Sequence, residues 1–227
     1  MNTFNQFFFG IYPYICLAIF FFGSLVRFDR EQYSWKSDSS QLLHDGQLRL
    51  GNVLFHVGVL AVFFGHLFGL LTPLWFWEAI GVSHSAKQIF AMLMGGIFGT
   101  MALVGLVLLI KRRFQNERLA ANSTWRDKLV LWWILATLVL GLLTIFVSMG
   151  HTDGHEMVKL MKWAQHIVTF RGAAADYLVD VSFLFKLHIF MGMTFFLIFP
   201  FTRMVHVWSG FASVTYLNRA WQVVRRR

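Results

Sequence analysis

Four stretches of this 227-residue chain carry no Asp, Glu, Lys or Arg: 1–26, 50–77, 88–110 and 129–152. Each exceeds the about 20 residues that an α-helix needs to cross the hydrocarbon core of a bilayer. In lipid every backbone N–H and C=O must be paired inside the protein, so runs of this length are predicted to be membrane-spanning helices. A fifth run, VSFLFKLHIFMGMTFFLIFPFTRMVHVW (181–208), is interrupted only by Lys186 and Arg203, with 16 uncharged residues between them. Both charged side chains can snorkel outward from near the ends of the span. The expected fold is therefore all-α: a single integral membrane bundle over 1–227, with five transmembrane helices at about 4–26, 51–75, 88–110, 129–149 and 181–206.

Composition agrees, since 14% of the residues are charged against about 25% in a soluble domain. The formal charge of +9 invites a nucleic-acid reading. The bases, however, sit between apolar runs, as they do in cytoplasmic loops of membrane proteins, so membrane lipid and not nucleic acid is the expected surrounding. Fifteen Lys and Arg lie in the first and third loops and the C-terminal end, against five on the other side. The positive-inside rule then puts the N-terminus outside and the C-terminus in the cytoplasm. The opening MNTFNQFFFGIYPYI has neither a basic n-region nor a small-residue cleavage site, which makes it the first span rather than a removed signal peptide. In the segment 150–180, EMVKLMKWAQHIVTF repeats its apolar positions at helical spacing and is expected to lie along the outer membrane surface.

Polar groups inside the spans carry the functional signal. His56 and His66 lie in the second span, and His188 and His206 in the fifth. These two spans run in opposite directions, so His56 and His206 share the cytoplasmic side while His66 and His188 share the outer side. A histidine pair facing across two helices supplies both axial ligands of a haem, whose flat apolar ring fits between the helices of a bundle. Gly58, Gly65, Gly69 and Gly192 lie near these histidines and can let a porphyrin approach the backbone. The ladders differ in height. Ten residues rise about 15 Å along a helix and eighteen about 27 Å. Pro200 should bend or end the fifth helix before His206. Two other readings stand beside the haem: histidines that bond one another between helices, and a haem-free scaffold or proton channel. A zinc or copper site lacks a third ligand. Cys16 is the only cysteine, so any iron–sulfur cluster must belong to a partner.

The stretches FFFGIYPYI, RFDREQYSWKSDSSQ, NVLFHVGVLAVFFGHLFGLLTP, KQIFAM, KWAQHIVTFRGAAA and FKLHIFMGMTFFLIFPFTRMVHVWS span nearly the whole chain in order. Together they resemble the cytochrome b (gamma) subunit of membrane-bound respiratory nitrate reductase. The resemblance implies a multi-pass protein of the bacterial inner membrane that holds two b-type haems, one on His56 and His206 and the other on His66 and His188. It implies quinol (menaquinol or ubiquinol) oxidised near the outer haem, with electrons passing inward to an iron–sulfur subunit and a molybdenum subunit that reduces nitrate. Lys87 matches a lysine of the family's quinol site, with His66, Gly65 and Gly69 beside it. Gly65 and Gly69 can make room for either a haem or a quinol ring, and Arg203 can pair with a haem propionate. The nearest alternative within this reading is a dihaem quinol-oxidising anchor for another cytoplasmic reductase. The cytoplasmic loops and the tail from Val207 to Arg227 are the expected partner contacts.

Overall fold

A computed structural model describes residues 3–31, 34–35 and 48–209, and every regular element among them is helical. Five helices are long and apolar enough to cross a membrane: α1 (Thr3–Arg30), α2 (Leu48–Leu71), α3 (His84–Gln115), α4 (Trp125–Met149) and a fifth over Phe183–Phe201. Between α4 and the fifth span lies α5 (His155–Val168), and the α-helical part of the fifth span is α6 (Phe183–Ile198). Lys36, Arg219, Arg225, Arg226 and Arg227, which entered the charge count, lie outside the described residues, as does the tail beyond Ser209.

The closest helix contact is made by absent side chains. A Cβ placed on Gly58 of α2 would lie 2.5 Å from Ala102 N and 2.7 Å from Phe98 O, both on α3. One placed on Gly105 of α3 would run into the Phe55 backbone N of α2. In lipid there is no hydrophobic force between spans, so close backbone approach at small residues supplies the packing. Gly58 is thus a helix-packing residue, not a porphyrin contact, because it faces α3 rather than the fifth span.

α5 packs its apolar face against the bundle. Met161, Trp163, Ala164 and Ile167 are buried, and three of them join a cluster with Phe9, Leu178 and Phe185 at one end of the bundle. The reason lies in α1. Pro13 has no N–H to give to Phe9 O four residues back, and the Trp163 indole N–H donates to that carbonyl instead, at 2.9 Å. This pairing ties the apolar face of α5 to α1. Gly154, at φ +80°, starts α5 from a left-handed turn that glycine favours, which leaves His151 outside the helix.

Pro200 ends the fifth helix. α6 stops at Ile198, a single 3-10 turn carries Phe199–Phe201, and Thr202 is extended at φ −119°, ψ 177°. A second short turn, Arg203–Val205, then leads to His206. The last span is therefore not continuous to 206.

Gly58→Val should lower stability by about 1–3 kcal/mol through overpacking against α3, seen as a fall in the thermal midpoint of the protein in detergent. Gly95→Ala, whose added methyl would meet only Ile145 at 4.0 Å, should leave that midpoint unchanged.

Candidate functional site

The four span histidines form two facing pairs. The ring centroids of His66 and His188 are 6.1 Å apart, and those of His56 and His206 are 6.4 Å apart. The broken fifth span makes this possible. From His188 to the end of α6 at Ile198 the chain climbs ten residues, the same interval as from His56 to His66. The residues between, 199–205, form two 3-10 turns separated by the extended Thr202 rather than a continuation of α6.

Backbone carbonyls orient three of the rings. Nδ1 of His56 bonds Asn52 O at 2.8 Å, Nδ1 of His66 bonds Val62 O at 2.8 Å, and Nδ1 of His206 bonds Arg203 O at 2.7 Å. With Nδ1–H donating to a carbonyl, Nε2 carries the free lone pair that a metal takes. The fourth ring is located by packing. A Cβ on Gly141 of α4 would lie 2.9 Å from Cε1 of His188, so only glycine lets that ring lie where it does. Gly141 has no signal in the sequence beyond being a lone glycine in an apolar run, and sequence reasoning missed it.

Two imidazoles sharing one iron at metal–nitrogen bonds of about 2 Å would have centroids about 6 Å apart. Both pairs match that spacing. Beside them, a Cβ on Gly65, Gly69 or Gly192 would meet nothing within 4 Å, which is the cradle a flat ring requires. Among the described residues no group of three or more His, Cys, Asp or Glu converges.

Lys87 does not snorkel. It is 6% exposed, and its Nζ donates to Gly69 O at 2.8 Å and to Met161 Sδ at 2.9 Å while lying 4.5 Å from the Trp77 ring centroid. Gly69 is in the last turn of α2, where carbonyls lose their helical partners. A cation there also faces the negative end of the helix dipole. Gln165 of α5 meets Leu70 O and Thr72 O of the same helix end, and Gln88 meets Ser148 O and His151 O at the end of α4. Lys87 and Gly69, singled out together in the sequence, are in contact. Gly65 is not part of that contact. Arg203 has its Nε 3.4 Å from Asp127 Oδ1, with both side chains largely buried.

The family model for the nitrate reductase gamma subunit matches residues 5–227. This chain belongs to the nitrate reductase gamma subunit family. It is 49% identical to the respiratory nitrate reductase 2 gamma chain of Escherichia coli, over 98% of this chain and 97% of that one. The respiratory nitrate reductase 1 gamma chain of the same organism is 48% identical over the full length of both. The nitrate reductase gamma chain of Bacillus subtilis is 35% identical over 98% of this chain and 99% of its own. Membership and the five apolar helices make the chain a multi-pass inner-membrane subunit of an oxidoreductase complex.

Lys87→Met should leave Gly69 O without its donor and cost about 1–3 kcal/mol. The measurement is the thermal midpoint of the purified protein in detergent.

Proposed function

We propose that this chain oxidises quinol at the outer membrane face and delivers the electrons to a cytoplasmic iron–sulfur subunit and a molybdenum subunit that reduces nitrate to nitrite. The observation that carries the reading is the two histidine pairs, stacked at two depths with ring separations of 6.1 and 6.4 Å. In this reading His66 and His188 hold the outer b-type haem, and His56 and His206 hold the cytoplasmic one. The excess of basic residues in one set of loops supports that orientation. A haem with an imidazole on each face carries one electron at a time and has no open position for oxygen or substrate.

The protein's own residues have distinct tasks. Asn52 O, Val62 O and Arg203 O each fix the tautomer and plane of one ligand ring through Nδ1. Gly141 gives the His188 ring its seat. Quinol binds beside His66, where Gly65 and Gly69 leave room for its ring and the Lys87 ammonium donates to one of its oxygens. Trp77 and Met161 keep that ammonium in place between them. The guanidinium of Arg203, already paired with Asp127, is the group we assign to a haem propionate. Negative charge moving inward while quinol protons remain outside would add to the membrane potential. The gamma-chain relatives, named as parts of nitrate reductases, support the choice of partners and of nitrate as final acceptor.

Reduced-minus-oxidised optical spectra with haem quantified per chain test this directly. Two b-type haems are expected, one lost in both His66→Ala and His188→Ala, and the other in both His56→Ala and His206→Ala. Gly141→Val should perturb the first haem and spare the second. A colourless protein under haem-replete expression, or spectra indifferent to these substitutions, would return the histidines to a haem-free scaffold or channel. Lys87→Ala should retain both haems and raise the KM for quinol about tenfold, the worth of one charged hydrogen bond. An unchanged KM would remove Lys87 from the quinol site.

A further inference from the structure

His206 follows a break in the fifth span: the chain leaves α6 at Pro200, is extended at Thr202, and returns to helix through the 3-10 turn Arg203–Val205, with His206 opening the helical stretch 206–209. Two charged side chains from other spans hold that break. Arg27, in the last turn of α1, donates through one terminal nitrogen to Pro200 O and to Thr202 O, both at 2.7 Å. Its other groups are fixed as well, with Nη2 on Ser34 O at 2.8 Å and Nε on Ser34 Oγ at 3.3 Å. A Cβ on Gly23, one turn earlier, would sit 3.1 Å from the Pro200 ring, so α1 lies flush against the break.

From the opposite side comes Asp127 at the start of α4, itself only 7% exposed. Its Oδ2 accepts from Thr124 N at 3.0 Å and from Thr124 Oγ1 at 2.9 Å, closing a capping box. Its Oδ1 faces Arg203 Nε at 3.4 Å. The carboxylate is therefore rigid before it meets Arg203, and Arg203 O is the atom that receives Nδ1–H of His206. No such arrangement supports the other three histidines. His56, His66 and His188 all sit within continuous helices, α2 and α6.

We propose that Arg27 and Asp127 are positioning residues for His206: they clamp the Pro200 break from two sides and so set the plane of one imidazole of the cytoplasmic pair. This rests on the reading of His206 as a haem ligand. The planes of His56 and His206 cross at 64°, against 44° for His66 and His188. The clamp maintains that first angle. Ligand orientation and hydrogen bonding to a ligand ring are levers on haem potential, so the clamp acts on one haem and not on the other.

The test uses the assembled complex with Arg27→Gln, Arg27→Lys and Asp127→Asn, and with His206→Ala and His66→Ala as references for the two haems. Low-spin ferric EPR signals report the relative orientation of paired imidazole planes, and redox titration gives each midpoint. Arg27→Gln and Asp127→Asn are expected to move the EPR signal of the haem that His206→Ala abolishes. They should change its reduction equilibrium about tenfold, about 59 mV for one electron, and leave the His66 haem in place. Arg27→Lys, which keeps the charge and a donor, should restore part of the shift. An unmoved EPR signal in both variants, or equal movement of both haems, overturns the proposal. Should Arg27→Gln fail to assemble, Asp127→Asn, a near-isosteric change, decides alone. If His206→Ala keeps both haems, the ligand assignment itself has failed, an outcome the reference variant makes separately visible.

Discussion

A carbonyl released at a helix end inside a bilayer has no water to turn to, and this bundle meets that obligation with long side chains from neighbouring spans. Lys87 and Gln165 serve the end of α2, Gln88 the end of α4, Trp163 the carbonyl that Pro13 leaves open, and Arg27 the break at Pro200. Each pairing is also a tertiary contact. The rule that forbids unpaired backbone groups in lipid thus fixes how the helices stand against one another.

Much of the candidate site follows from these pairings. α2 keeps its two histidines on an unbroken helix, with α3 packed so closely against one face that glycine is obligatory at positions 58 and 105. The opposite face is left to the fifth span. That span could not match the ten-residue interval of α2 while remaining helical to His206. It breaks after Ile198, and there Arg27 bonds Pro200 O and Thr202 O while Asp127 faces Arg203. The two pairs therefore differ in setting: one joins two continuous helices, and the other joins α2 to the first residue after a break in the fifth span.

Much of this was legible in the residues. Four charge-free runs and a fifth interrupted only by Lys186 and Arg203 announced five spans, histidines at opposite depths announced two pairs, and Pro200 announced the break. Lys87 was visible as a polar group at the mouth of the third span. Its inward turn onto Gly69 was not, because nothing in the chain order shows that α2 ends beside it. Gly141 was invisible for a similar reason, since its role exists only once the His188 ring lies against α4. The amphipathic pattern of α5 gave the helix and its apolar face correctly. That this face meets protein, with Trp163 bonded to Phe9 O, is visible only in the tertiary structure.

The sequence by itself determined the solvent, the number of spans and the imidazoles carried within them. Those properties are local: a run of apolar residues commits its backbone to a helix, and an imidazole in such a run must find a partner. Only the tertiary structure decided which partner, at what angle and against which neighbour. These are properties of side chains that meet across spans, and hydrophobicity, which lipid satisfies equally on every face, carries no information about which faces meet.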